Sequence, residues 1–198
     1  MNNAQKNDQG VKSDSLMSRL KGVFDFVEMF AIAACAILLI FTFVARLTVV
    51  DGTSMDYTLA HGERLLISDA FYTPKAGDIV VIQSKELPGD LSGKAIVKRV
   101  IATEGQRVVI HSNGVYVYNP DGSGGRLDET GGALGYTVIP CSYLPQDEVI
   151  VGKGEIFVMG DNRPISLDSR AFGCVDARAV IGKVYLRVAP LSSFGTIN

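Results

Sequence analysis

The hydrophobic pattern divides the chain into three stretches of different character. Residues 1–22 are polar, carry Lys6, Lys12, Arg19 and Lys21, and offer almost nothing to pack, so they read as an unstructured tail. From Met29 to Ala45 no charge interrupts 17 residues, bounded by Glu28 and Arg46 and flanked by further apolar positions such as Phe24, Phe26, Leu47 and Val49. That length reaches the roughly 17–25 residues a helix needs to cross a bilayer. The cleaved leader of an exported protein has a shorter apolar core, about 7–15 residues, and ends at a small-x-small site. This stretch is longer and runs on into Val44-Ala45-Arg46-Leu47, so it is expected to be a retained anchor over residues 23–46.

Beyond the anchor the period changes to that of strands. Short Val- and Ile-rich runs recur at 65–67, 78–82, 96–102, 107–110, 115–118, 149–151, 156–159 and 180–188, separated by Gly, Pro, Asn and Asp clusters. This spacing predicts an all-β sandwich or barrel-like fold, with no helix outside the anchor. Ser112-Asn113-Gly114 reads as a tight hairpin turn. The glycine-rich Asn119 to Gly135 stretch reads as a flexible excursion of a smaller β subdomain inserted at about 106–154. The fold class expected is therefore mainly β, with one N-terminal transmembrane helix followed by a β domain over residues 47–198.

Charge orients the anchor and narrows the function. Four basic residues precede the apolar stretch, whereas Arg46 and Arg64 alone fall in the 20 residues after it. The positive-inside bias then predicts a cytoplasmic tail and an extracytoplasmic domain. Nineteen basic against 21 acidic residues leave no basic surface for nucleic acid. A mean hydropathy of +0.22 is high for a soluble protein and is accounted for by the anchor. Three cysteines, at 35, 141 and 174, have no metal-ligand spacing. Cys141 and Cys174 both fall beyond the membrane, where a disulfide is open to them.

Three constellations could carry chemistry. Val50-Asp51-Gly52-Thr53-Ser54-Met55 places a serine beside a glycine on a turn; alone, it is an ordinary loop serine. In Ala95-Ile96-Val97-Lys98-Arg99-Val100-Ile101, strand alternation sets Lys98 on the face of Ile96 and Val100. A buried lysine can lose its proton because desolvation disfavours the charged form, whereas an arginine cannot. A solvated edge lysine is the alternative. The third, Gly160-Asp161-Asn162-Arg163-Pro164-Ile165-Ser166-Leu167-Asp168-Ser169-Arg170, lacks the ligand spacing and closing Glu of a calcium loop. It reads either as a polar turn or as a hydrogen-bonded lattice that fixes a neighbouring lysine and serine.

In this order the three resemble the bacterial type I signal peptidases, membrane-anchored serine proteases with a Ser/Lys dyad. The resemblance runs through VDGTSM, GDIVV at 77–81, KRVIATEG at 98–105, GDNRPISLDSR and IGKVYLRVAP at 181–190, and so covers essentially the whole chain. It implies that Ser54 is the nucleophile, Lys98 the general base, and Ser166 the group that orients the lysine, with Asp168, Arg170 and Asp161 holding the site in shape. It further implies cleavage of exported preproteins after an Ala-x-Ala pattern at the outer face of the cell membrane, in contact with lipid and with no cofactor, metal or nucleic acid. His61 and His111 lie outside these motifs and read as surface residues. An anchored assembly factor that has lost the dyad, or an anchored binding module, are the rival readings, and retention of both Ser54 and Lys98 disfavours the first. Two departures stand out. The family usually has proline three residues after the nucleophile, where this chain has Tyr57; restoring proline is expected to be tolerated if the backbone there suits it. Gly52 replaces a side chain that in some relatives assists the oxyanion hole, leaving more of that work to backbone N–H groups, including that of Ser54.

Overall fold

A computed structural model of the chain describes residues 4–43, 45–111, 114–127 and 148–197. It comprises two units, residues 1–44 and 45–198. In the first, α1 (Ala4–Phe43) is a single 40-residue helix. The tail expected to be unstructured is therefore helical from Ala4. The physical reason is propagation: once an apolar helix is nucleated, adding residues costs little. Gln5, Lys6, Gln9, Lys12, Leu16, Met17 and Lys21 are good helix formers, and no proline interrupts them. Its Leu20–Leu39 part has a mean hydropathy of 2.1 and is long and apolar enough to cross a membrane. Phe24, Phe26, Met29, Phe30 and Leu39 are exposed, and every backbone group of such a helix is satisfied internally, as lipid requires.

The second unit is built from strands. In chain order these are β1 (Arg46–Val49), β2 (Arg64–Ser68), β3 (Ile79–Gln83), β4 (Ala95–Thr103), β5 (Arg107–His111), β6 (Gly114–Tyr118), β7 (Gly124–Arg126), β8 (Glu148–Ile150), β9 (Glu155–Met159), β10 (Val175–Asp176), β11 (Val180–Ala189) and β12 (Gly195–Thr196). The larger sheet runs β1-β2-β11-β3-β4-β9-β10, with β12 added to β11; the smaller runs β7-β6-β5-β8. All of these pairs are antiparallel.

The central strand β3 explains how the larger sheet is held. Ile79, Val80, Val81 and Ile82 are all buried, but alternation sends them two ways. Ile79 and Val81 join Val50, Met55, Leu59, Leu65, Ile67 and Val184 in one apolar cluster. Val80 and Ile82 join Val100, Ile156, Val158 and Val175 in another. A third cluster, around Val108, Ile110, Val115, Phe157 and Met159, joins the smaller sheet to β4 and β9. Between Val100 and Ala102 the β4–β9 register slips by one residue, a bulge of the kind that re-aims a strand.

Each expected strand run is present. Strands β1, β7, β10 and β12 are additional to those expected, as is α2 (Ser169–Phe172), one helical turn closed by Gly173 at φ 83°. Strand β7 lies inside the stretch expected to be a flexible excursion. Residues 128–135 of that stretch, Ser112 and Asn113 of the hairpin turn, and Cys141 lie outside the described residues.

Candidate active site

The segment between β1 and β2 carries Ser54. It is a loop pinned at both ends: Val50 N–H donates to the Glu63 carbonyl at 2.9 Å, and Gly62 N–H to the Val50 carbonyl at 2.9 Å. Within it Met55 to Leu59 makes one tight turn, closed by Leu59 N–H on the Met55 carbonyl at 2.8 Å. Both of those side chains are buried in the core with Val50. Ser54 therefore rides on a turn fastened from beneath by apolar packing, at a depth where it is half-buried. His61, though largely exposed, is part of this loop's structure, because its Nδ1 accepts from Gly52 N–H at 3.1 Å.

Tyr57, on the same turn, has φ 81° and an exposed side chain. This corrects the expectation about proline, whose ring fixes φ near −65°. The family's residue does not fit this loop as built. Tyr57→Pro is expected to cost more than about 1 kcal/mol, seen as a melting temperature lower by at least roughly 2–4 °C. Tyr57→Gly, free at positive φ, is expected to hold the wild-type melting temperature or exceed it. Equal stability of the proline variant would show that the turn adopts another backbone.

Lys98 lies on β4 opposite Val80 of β3. It is only 3 % exposed, so the solvated-edge alternative does not describe it. Its Nζ donates to Ser166 Oγ at 3.1 Å. Burial lowers its pKa from the ordinary value of 10.5 to about 8, opposed by the Asp168 carboxylate, assisted by the Arg170 guanidinium and opposed again by Asp161. A substantial fraction is thus the free amine at mildly alkaline pH.

The loop that follows β9 binds both of the elements above. Asp161 accepts from Arg99 Nε at 2.8 Å and from Nη2 at 2.7 Å. Thr58 Oγ1 donates to the same carboxylate at 2.6 Å. Arg99 also donates to the Gly77 carbonyl at 2.9 Å, which ties the GDIVV segment in. Asn162 donates twice to the serine loop, from its backbone N–H to the Ser54 carbonyl at 3.0 Å and from Nδ2 to the Thr53 carbonyl at 3.0 Å. Gly160 makes this approach feasible, because a methyl group there would overlap both Ser166 Oγ and the Ser54 carbonyl. Ser166 N–H donates to the Asn162 carbonyl at 3.0 Å.

Beneath this loop sits a buried ion pair. Asp168 is fully buried and caps α2. It accepts from Gly160 N–H at 3.0 Å, and from Arg170 Nε at 2.8 Å and Nη2 at 2.9 Å. Arg170 in turn donates to the Arg163 carbonyl at 2.6 Å, and Arg163 Nε to the Gly160 carbonyl at 2.9 Å. Two buried guanidiniums thus fix the carbonyls of their own loop, so the turn that presents Ser166 has little freedom.

The residues singled out in the sequence therefore converge unequally. Lys98 and Ser166 are hydrogen-bonded, and Asp161, Asp168 and Arg170 form the surrounding lattice. Ser54 joins that lattice through its backbone, while its hydroxyl makes no hydrogen bond to Lys98 in this structure. Catalytic hydrogen bonds are often loose before substrate binds. Thr58, Arg99, Gly160 and Asn162 were not singled out for roles in the sequence. Asn162 and Gly160 lie in the polar motif itself, and Arg99 adjoins Lys98.

Along most of its length the chain is similar to known proteins. Residues 23–189 match the family described as signal peptidase, peptidase S26. A probable signal peptidase I-1 from Synechocystis is 35 % identical over 179 residues, covering 87 % of this chain and 85 % of its own. A signal peptidase IB from Staphylococcus aureus is 30 % identical over 191 residues, covering 88 % of this chain and 93 % of its own. A crystal structure of a signal peptidase I from Enterococcus faecalis aligns with 57 % of this chain and 97 % of its own at 26 % identity, with a TM-score of 0.42. The sequence matches extend from the apolar helix through the last long strand, and on them the chain belongs to the signal peptidase family, peptidase S26, serine endopeptidases that cleave signal peptides from exported preproteins.

Proposed function

We propose that Ser54 is the nucleophile and Lys98 the general base of this peptidase. The observation that carries the assignment is a buried lysine, held low in pKa, whose amine is hydrogen-bonded to Ser166 on a loop that also grips the backbone of Ser54. A neutral amine has two N–H groups and one lone pair. By accepting one N–H, Ser166 leaves the lone pair free to be aimed at the Ser54 hydroxyl. Lys98 takes the Ser54 proton as Oγ bonds to the scissile carbonyl carbon, and the carbonyl π pair moves onto oxygen. The resulting oxyanion is met by backbone N–H groups, Ser54's own among them. Collapse breaks the C–N bond, and the Lys98 ammonium returns the proton to the departing amine. Water then attacks the acyl-enzyme with Lys98 again as base, freeing Ser54. Asp161, Asp168 and Arg170 hold the geometry without touching the reacting atoms.

The same reading places the reaction at the outer face of the cell membrane. The helix anchors the chain, and the basic residues before it keep the N-terminus in the cytoplasm. Preproteins tethered by their own apolar segments would be cut after small residues of the Ala-x-Ala type, the preference the family resemblance implies. The test is incubation of the purified full-length chain in detergent micelles with a preprotein carrying such a site. A single cut is expected from the wild type and none from Ser54→Ala. Processing by the Ser54→Ala protein would remove Ser54 from the role.

A further inference from the structure

We infer that the side-chain amide of Asn162 is a positioning device for the oxyanion donor, acting through the backbone of Ser54; this rests on the nucleophile assignment above. One peptide unit sets the geometry. The bond between Thr53 and Ser54 is planar and trans, so the Thr53 C=O and the Ser54 N–H lie in one rigid plane and point in opposite directions. Asn162 Nδ2 holds the Thr53 carbonyl at 3.0 Å. Fixing that oxygen fixes the heading of the Ser54 N–H, away from Asn162.

The next peptide unit is held by the same residue, because Asn162 N–H donates to the Ser54 carbonyl at 3.0 Å. Two successive planes on either side of the nucleophile's Cα are thus set from one point, which leaves Ser54 φ and ψ little room. Among the described residues the Ser54 N–H itself has no acceptor, so it is a donor kept available. The chain arriving at Ser54 passes through Gly52 at φ 95°, whose wide backbone freedom has to be removed from outside. Hydrogen bonding at one end of an amide also polarises the other, which makes the Ser54 N–H a better donor to a developing negative charge.

An asparagine suits this position for a definite reason. The residue is 8 % exposed, and its side chain must donate to a carbonyl. An ionised aspartate is an acceptor only and would set its charge against the Thr53 oxygen. Asn162 gives Lys98 no hydrogen bond, since Lys98 binds Ser166, and Ser166 is tied to the backbone carbonyl of Asn162 rather than to its side chain. Changing the side chain should therefore disturb oxyanion binding and spare the proton transfer.

The experiment compares the wild type with Asn162→Ala and Asn162→Asp, full-length in detergent, on a signal-peptide substrate and on a peptide aldehyde that adds to Ser54 Oγ as a tetrahedral adduct. Loss of one oxyanion donor costs about 10²–10³ in kcat; misaiming one should lower kcat about 10- to 100-fold. KM and the apparent pKa of the pH profile should stay at wild-type values, and aldehyde affinity should fall by the same factor as kcat. A loss carried by KM, or a moved pKa, would overturn the inference. A second readout does not depend on cleavage: the NMR resonance of the Ser54 amide should move in Asn162→Ala. An unmoved resonance would overturn the inference even in a fully active enzyme. A wild type that cleaves nothing while the resonance still moves would instead count against the nucleophile assignment alone.

Discussion

Replacing Lys98 by methionine is expected to abolish cleavage and, at neutral pH, to make the protein more stable. In the native fold this residue is 3 % exposed, and with a pKa of about 8 its amine is mostly protonated at pH 7. Holding that charge away from water is unfavourable on the order of 3 kcal/mol, the size of the pKa displacement. Methionine is similar in length, apolar and adaptable in a core. Part of the gain is offset because Ser166 loses its donor and Asp168 and Asp161 lose a neighbouring cation. A melting temperature higher by a few degrees is the expected net result. The sign has a pH signature. Between about 8 and 10.5 the unfolded chain binds the proton that the folded chain has released, so wild-type stability rises with pH through that window. Lys98→Met lacks this rise, and its advantage should fade above about pH 10. The activity loss should be on the order of 10⁴ or more, the scale on which single members of a catalytic unit are lost. Lys98→Arg should be equally inactive, since its charge cannot be given up. A methionine variant that is destabilised at pH 7, or that still cleaves, would contradict the assignment.

Asp168→Asn should damage stability most and shift the pH profile in an unusual direction. Asp168 has no exposed surface and takes four hydrogen bonds, from Gly160, from the Arg170 backbone and from two guanidinium nitrogens. The amide that replaces it is neutral and turns one acceptor into a donor. Arg170, itself buried, loses the Asp168 charge, and breaking such a buried pair costs about 3–5 kcal/mol. A melting temperature lower by roughly 6–20 °C follows for a chain of this size. The remaining activity carries the second signature. The Asp168 carboxylate raises the Lys98 pKa against the effect of burial. With that charge gone, Lys98 loses its proton more readily, and the midpoint of the rise in kcat/KM should move to lower pH even as the maximum falls. A midpoint moved upward would mean that Asp168 does not act on Lys98.

How much of this was legible depended on distance along the chain. The strand runs at 79–83 and 155–159 are nearly all apolar, and such runs could be read directly. Strands β10 and β12 are two residues each, and α2 is four; periodicity has no purchase on elements so short. β1 was hidden because Leu47 and Val49, just past Arg46, read as apolar flanks of the anchor. The helical state of the tail was hidden because composition measures what a segment can bury, whereas this one extends a helix nucleated elsewhere. At the site, residue types suggested the players, but burial decided between the two readings of Lys98. The links from Thr58 to Asp161 and from Asn162 to Thr53 span 103 and 109 residues. No local pattern encodes them; they exist because β9 delivers its following loop against the serine turn. The left-handed backbone of Tyr57 was equally invisible, since tyrosine seldom adopts it.

The central claim is that the neutral amine of Lys98 is the base that activates Ser54. It is tested most directly by the dependence of kcat/KM on pH, measured from 5 to 10 on a signal-peptide substrate with the full-length protein in detergent. Only the unprotonated fraction can accept the serine proton, and burial sets its midpoint at about 8. A rise of close to tenfold per pH unit is expected well below that midpoint, levelling off above it. A rate already at its plateau at pH 5 and flat to pH 8 would belong to a carboxylate base and would contradict the role of Lys98.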